Sequence, residues 1–196
     1  WDWSNDYDVF EAVKISAHGT LTNSSKTSFL IGGNARARRA NNALAYVSPN
    51  LNGFTFAVNY TGAAANDETP TANGAQDANL KVTLASAKYA NGPLSTTFVY
   101  GTAKQDSTNE DRKDYALGAA YDFGVAAVRG SYQTTKNSGA TGLAANTDKS
   151  WNVGAIVPVS AVGAVMVSYA TVKLDSVAAT DNKANMWTAI YRHNLS

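Results

Sequence analysis

The sequence predicts an all-β protein, an antiparallel transmembrane β-barrel, and three observations carry that expectation. The first is a period of two in hydrophobicity. In Gly53-Phe54-Thr55-Phe56-Ala57-Val58-Asn59-Tyr60, the residues Phe54, Phe56, Val58 and Tyr60 share one face, and Thr55, Ala57 and Asn59 share the other. That is the alternation of a strand whose two faces meet unlike surroundings. It returns at 94–104, 114–122, 125–134, 150–157, 164–172 and 186–193. The second is the succession of short turns and long polar loops between these stretches, the pattern of barrels whose strands cross a bilayer. The third is the placement of tyrosines near strand ends, at Tyr60, Tyr89, Tyr100, Tyr121, Tyr132, Tyr169 and Tyr191. An amphipathic ring suits the boundary between lipid and water.

Taken in order, residues 1–35 alternate poorly. Asp2, Asp6, Asp8 and Glu11 stand among Trp1, Trp3, Tyr7 and Phe10, residues 20–27 are polar, and Gly32-Gly33 marks a bend. The stretch reads as a long packed loop, with a short helix near 7–14 as the alternative. Arg36-Ala37-Arg38-Arg39 leads into a first strand at 42–47, and Pro49 and Gly53 shape the turn to a second at 53–61. A polar loop at 62–78 precedes strands three (79–90) and four (94–104), which meet at Asn91-Gly92-Pro93. A charged loop at 105–113 leads to strand five (114–122), which turns at Phe123-Gly124 into strand six (125–134). The segment 135–149 reads as another long loop. The apolar run 153–167 is shorter than the ~20 residues of a spanning helix. It carries Pro158, so it reads as parts of strands seven and eight about a Pro/Gly turn. A polar loop at 174–184 precedes the ninth strand, 185–193.

Strands of about 9–11 residues match a tilted bilayer crossing. A secreted β-sandwich, the soluble alternative, gives no reason for loop length to segregate by end. The chain has no initiator Met or leader and stops abruptly after Tyr191–Ser196, so it reads as an internal fragment. Nine strands cannot close a bacterial barrel, whose strand count is even.

Composition narrows the function. Sixteen Lys plus Arg nearly balance fifteen Asp plus Glu, which gives no broad basic face and speaks against a nucleic-acid partner. There is no Cys, and the two histidines, His18 and His193, lack a ligand-like spacing, so neither a metal nor a cofactor is expected. No nucleophile motif accompanies them, so the chain is not expected to be an enzyme.

The run Arg39-Ala40-Asn41-Asn42-Ala43-Leu44-Ala45-Tyr46-Val47-Ser48-Pro49, followed by Gly53-Phe54 and Tyr60, resembles a segment of the general porins of Gram-negative bacteria, of the β-proteobacterial type. Ala43 stands where Ser is commoner. Tyr121-Asp122-Phe123-Gly124 is similar to a recurrent periplasmic turn of that family, and Tyr191–Ser196 to the approach to another turn. The resemblance covers essentially the whole chain. It implies a sixteen-stranded barrel, of which about nine strands are present here, assembled as a homotrimer in outer-membrane lipid and lipopolysaccharide. It also implies a single barrel domain over 1–196, in which 1–35 belongs to the constriction loop and 36–196 supplies the strands. The implied function is a water-filled channel for passive diffusion of ions and small hydrophilic solutes. A structural or adhesive barrel, binding through loops 62–78 and 135–149, is the alternative.

A channel of this kind acts through charges at its narrow point, and two clusters offer them. Arg36, Arg38 and Arg39 lie where the chain rejoins the wall, and Asp2, Asp6, Asp8 and Glu11 lie on the implied constriction loop. Arg38 and Arg39 are adjacent, so in a strand at most one faces the lumen, and Arg39 matches the family segment. Otherwise these are an exposed charge run and a solvated loop. Lys81 and Arg129 sit among apolar neighbours. A charge on the lipid face at mid-depth costs ~2–4 kcal/mol, so both are expected to point inward, the alternative being snorkelling to the interface. The arginines incline the expectation toward anions. Trp151, Trp187, Tyr132 and Tyr169 are assigned to interface girdles or the trimer contact.

Overall fold

The computed structural model describes residues 42–62, 80–105, 110–137, 145–175 and 182–194. Among them it contains one antiparallel sheet of nine strands: β1 (Leu44–Val47), β2 (Phe54–Thr61), β3 (Leu80–Asn91), β4 (Leu94–Gln105), β5 (Glu110–Asp122), β6 (Ala127–Asn137), β7 (Asn146–Pro158), β8 (Gly163–Leu174) and β9 (Asn182–His193). The order in space is the order in sequence, each strand pairing with the next. Strands β3 to β9 are 11 to 13 residues long, enough for a tilted crossing.

The register fixes two faces. Directly opposed residues of antiparallel strands share a face, so Phe54↔Tyr89, Phe98↔Leu117, Leu117↔Tyr132, Tyr132↔Trp151 and Tyr169↔Trp187 extend one apolar surface across the sheet. We call this the outer face. Its side chains are exposed: Leu117 keeps 52% and Trp187 74% of its accessible surface. On the opposite, inner face lie the buried polar residues Asn59, Thr97, Arg112, Asp114, Gln133, Thr135 and Asn152. A single layer with its large apolar side chains exposed and its polar ones buried inverts the arrangement of a water-soluble domain, and it is the arrangement of a wall between lipid and an interior.

Outer-face aromatics gather in two bands. Near the short turns, Phe54 packs on Tyr89 and Tyr121 on Phe123, with ring centroids 4.5 and 4.6 Å apart. Toward the other end, Tyr100 meets Tyr115 at 5.1 Å, and Tyr169 lies between Trp151 (5.3 Å) and Trp187 (4.7 Å). Along β5 the bands are six residues apart, from Tyr115 to Tyr121, about 20 Å of strand at ~3.4 Å per residue. Leu117, Phe98, Val58, Val153 and Val167 occupy the zone between.

The short turns are built by local hydrogen bonds. Between β1 and β2, the Gly53 N–H donates to Asn50 Oδ1 (2.7 Å) and the Phe56 N–H to Ser48 Oγ (2.9 Å). Between β5 and β6, the Gly124 N–H donates to Asp122 Oδ1 (2.8 Å). Between β7 and β8, the Val159 N–H donates to the Gly163 carbonyl (2.9 Å).

The strands run further than the sequence pattern indicated. The segment 105–113, read as a charged loop, is mostly strand, since β4 ends at Gln105 and β5 begins at Glu110. The segments 135–149 and 174–184 likewise contribute strand residues at both ends. The charged residues continue the period of two, with Arg112 and Asp114 inward and Asp111 and Lys113 outward, but the apolar signal stops at the edge of the hydrocarbon. Loop length is therefore less segregated than expected. Residues 106–109 are the only ones between β4 and β5, fewer than between β1 and β2.

Gly53 has φ +95°, and a Cβ there would lie 2.7 Å from the Ala90 carbonyl oxygen; Gly92 has φ +53° with open space around it. Both substitutions to Ala incur the left-handed backbone cost of ~1–2 kcal/mol, and only Gly53→Ala adds a clash with backbone. In urea titrations of the full-length folded protein, Gly53→Ala is expected to lower the unfolding midpoint clearly more than Gly92→Ala. Equal shifts would contradict this account of the β2–β3 contact.

Candidate functional site

The chemistry of the chain lies on the inner face. Arg112 and Asp114, two residues apart on β5, point to the same side, with Arg112 Nε 3.6 Å from Asp114 Oδ2. Thr135 of β6 stands opposite Asp114 and donates its hydroxyl proton to Asp114 Oδ1. Asp148 of β7 is opposite Thr135, and its Oδ1 accepts from the Asp175 N–H at 3.0 Å. Asn137 donates to Asn146 Oδ1 at 2.6 Å, and Asn146 to the Asp175 carbonyl at 3.1 Å. The Asp175 carboxylate accepts from the Thr147 N–H at 3.1 Å. One polar network thus ties β5, β6, β7 and the end of β8 together at the long-loop end. Lower on the same face, Asn152 donates to Ser131 Oγ across β6 and β7.

Nearer the short turns the inner face changes character. Arg129 of β6 stands opposite Ala120 on one side and Gly154 on the other. Arg192 of β9 stands opposite Ala164, and Lys88 of β3 stands between Thr55 and Thr97. Directly opposite these cations stand small or hydroxylic side chains, and Asp122, opposite Ala127, lies diagonal to Arg129 on the same face. The inner face is not polar throughout: Val82, Leu84 and Val99, on β3 and β4, are each 1% exposed.

Of the charges singled out in the sequence, Asp2, Asp6, Asp8, Glu11, Arg36, Arg38 and Arg39 lie outside the described residues, as does His18. Arg129 is on the inner face. Lys81 is not. It pairs with Lys104 and lies two residues from Thr83, which opposes Tyr60, so it belongs to the exposed outer face. The inward expectation for Lys81 treated it as a mid-depth charge among apolar neighbours. The neighbours are the inverted part: Val82 and Leu84 face inward here. Lys81 escapes the lipid penalty because it is one residue from the strand end, where the cost of a lysine falls to ~0–1 kcal/mol. A strand cannot slip by one residue without turning every side chain over, and the alternation of β2 holds β3 in this register.

Sequence reasoning passed over Arg112 and Asp148 because they fell in assigned loops, and passed over Lys88 and Arg192 because charges near strand ends gave no apolar contrast. The available signal was the same-face spacing of Arg112 and Asp114. Trp151, Tyr132, Tyr169 and Trp187 are neighbours on the outer face. Among the described residues no group of three or more His, Asp or Glu side chains is placed to hold a metal ion.

Comparison with known proteins agrees with this geometry. A sequence profile described as Gram-negative porin matches residues 2–196. The outer membrane porin protein 32 of Delftia acidovorans is 36% identical over 194 residues, covering 97% of this chain and 51% of that protein. An outer membrane porin protein of Bordetella pertussis is 24% identical over 193 residues, covering 81% of this chain and 49% of that protein. Among solved structures, an anion-selective porin from Comamonas acidovorans superimposes with a TM-score of 0.67 at 34% identity, over 80% of this chain and 45% of that one. The chain spans about half the length of the curated relatives it matches. A lipid-facing apolar surface, a polar inner face and a match along nearly every residue make one assignment: the chain belongs to the Gram-negative porin family of outer-membrane β-barrel proteins.

Proposed function

We propose that this chain forms part of the wall of a water-filled channel through which ions and small hydrophilic solutes diffuse passively across the outer membrane, with a preference for anions. The observation that carries the reading is the division of one sheet into an exposed apolar face and an inner face bearing Arg112, Arg129, Asp114, Asp148, Gln133 and Asn152. A wall so divided seats itself in hydrocarbon and offers charge to the interior. The anion preference is supported by Arg129, Arg192 and Lys88, which bring positive charge to the short-turn half of the inner face, opposite small or hydroxylic residues. It is supported too by the likeness to a solved porin described as anion-selective.

The reading includes a sixteen-stranded barrel, a homotrimer set in outer-membrane lipid and lipopolysaccharide, and a narrow point bearing Asp2, Asp6, Asp8 and Glu11 against Arg36, Arg38 and Arg39. No cofactor and no chemical step enter the mechanism. Selection follows from the field of fixed charges, focused by a low-dielectric wall on a narrow aqueous path.

Single-channel recording of the full-length protein in a planar bilayer under a salt gradient is the direct test. Stepwise conductance in groups of three, with a reversal potential of the anion-selective sign, is expected. A folded, inserted and silent barrel would overturn the channel reading in favour of a structural or adhesive one. Arg129→Glu is expected to move the reversal potential toward the cation side without loss of conductance; an unmoved potential would remove Arg129 from the selecting charges. Leu117→Arg, between the two aromatic bands on the outer face, is expected to cost ~2–4 kcal/mol of folding stability in lipid vesicles. A neutral result would mean that this surface does not face lipid.

A further inference from the structure

Two of the short turns contain the same chemical weak point, held in different ways. Asn52-Gly53 joins β1 to β2 and Asn91-Gly92 joins β3 to β4, and these are the Asn-Gly steps among the described residues. An asparagine amide followed by glycine is open to attack by the glycine's own backbone nitrogen, which no side chain shields. That nitrogen bonds to the side-chain carbonyl carbon, its proton and the amide nitrogen leave together as ammonia, and a five-membered imide forms. Water then opens the imide at one carbonyl or the other, giving aspartate or the backbone-lengthened isoaspartate. Ring closure requires the Asn-Gly peptide to rotate, so whatever pins that peptide protects the amide.

Asn52-Gly53 is pinned at several points. Both φ angles are positive, +53° at Asn52 and +95° at Gly53, and the turn is closed by the Leu51 and Phe54 N–H groups, each donating to the other's carbonyl at 2.8 and 3.1 Å. The Gly53 N–H, which carries the nucleophilic nitrogen, donates to Asn50 Oδ1 at 2.7 Å. The Gly53 carbonyl accepts from the Ala90 N–H at 2.9 Å. Rotation there breaks these bonds and drives Gly53 against the backbone of β3. Asn91-Gly92 is held less. Both residues are exposed, Gly92 has open space around it, and its N–H donates to no partner among the described residues. Pro93 follows and brings no N–H to the turn. Asn91 Nδ2 donates to the Tyr89 hydroxyl at 3.0 Å in an exposed bond, where water can take its place. Rotation of this peptide disturbs the closing pair Asn91↔Leu94 alone.

We propose that Asn91 is a site of spontaneous modification in the folded protein, passing through a cyclic imide to aspartate and isoaspartate, while Asn52 is guarded by the Asn50 side chain. Asn91 lies two residues beyond Tyr89, a member of the aromatic band near the short turns, so water reaches it from the turn side. Either product puts a carboxylate there in place of a neutral amide. Isoaspartate also adds a carbon to the main chain, in a turn with only Gly92 and Pro93 between the closing pair to absorb it. The inference stands on the geometry of the two turns and not on conduction.

The test incubates the full-length protein, folded in detergent micelles, at mildly alkaline pH. Both sites are followed by peptide mass spectrometry, with aspartate and isoaspartate separated by chromatography. Asn91 is expected to convert about tenfold or more faster than Asn52, which must first give up a hydrogen bond and a backbone contact. The same chain unfolded in guanidinium is expected to convert the two at similar rates. Asn50→Ala is expected to speed Asn52 several-fold and to leave Asn91 unchanged. Equal rates at the two sites in the folded protein would overturn the proposal without recourse to a variant. So would a preference for Asn91 that persists undiminished in the unfolded chain, since the turns would then not be its cause. An Asn52 rate unmoved by Asn50→Ala, in a variant whose circular dichroism matches the unaltered protein, would overturn the guarding role of Asn50. Conversion at Asn91 is expected to quicken as pH rises, because the attacking nitrogen must lose its proton; a rate independent of pH would overturn the imide route.

Discussion

Hydrocarbon offers no partner to a backbone N–H or C=O, and each group left unpaired there costs several kcal/mol. A chain that crosses lipid with strands must therefore pair each strand along its length, and β2 to β8 are paired on both sides. The simplest route to such pairing is a meander of neighbours, which is the order found. Because pairing is obligatory, register cannot be relaxed locally to suit one side chain. Side-chain direction at every position follows from the ladder, and sequence chemistry must conform to it.

That subordination explains the two kinds of charge placement. At mid-depth the ladder sends alternate residues to lipid, and those positions carry Leu117, Phe98, Val58 and Val153. Charges at the same depth occupy inward positions, as Arg129 does. Toward the long-loop end the strands rise past the aromatic band, and both faces become available to charge. Arg112 and Asp114 then take the inner face, while Asp111 and Lys113 take the outer. On the inner side the carboxylates are drawn into hydrogen bonds, Asp114 accepting from the Thr135 hydroxyl and Asp148 from the Asp175 N–H. Such a network fixes the relative heights of three strands more firmly than exposed pairs would.

The sequence disclosed the fold wherever apolar contrast existed. Residues 54–60 alternate so cleanly that strand, faces and approximate limits were all legible, and Gly53, Gly92, Gly124 and Pro158 marked the turns. Legibility failed where the contrast vanished for a physical reason. Above the lipid both faces meet polar surroundings, so 110–113 and 146–149 show no hydrophobic period although their backbone hydrogen bonds continue. Lys81 misled for the opposite reason. Its flanking residues look like a lipid-facing set, yet Val82 and Leu84 turn inward, and only the pairing with β2 reveals it. Inner-face clusters such as Arg112, Thr135 and Asp148 join residues from three strands. Their juxtaposition depends on register between strands, which no single stretch of sequence states.

The near-neutral balance of sixteen basic against fifteen acidic residues therefore says little about the field in a channel, because the charges are partitioned before they are summed. Lysines on the outer face are separated from the interior by the thickness of the wall, and electrolyte screens exposed charges beyond about 8–10 Å. The arginines of the inner face act on the interior at short range, across a low-dielectric wall that concentrates their field. Two sets of charges thus share one sheet with little coupling between them, exposed lysines on the outer face and arginines interspersed with Asp114 and Asp148 on the inner. Arginine suits the second because its guanidinium keeps its charge whatever its neighbours and holds a fixed planar fork. Lysine suits the first because its long apolar stem can lie along the outer face while the ammonium stays in water.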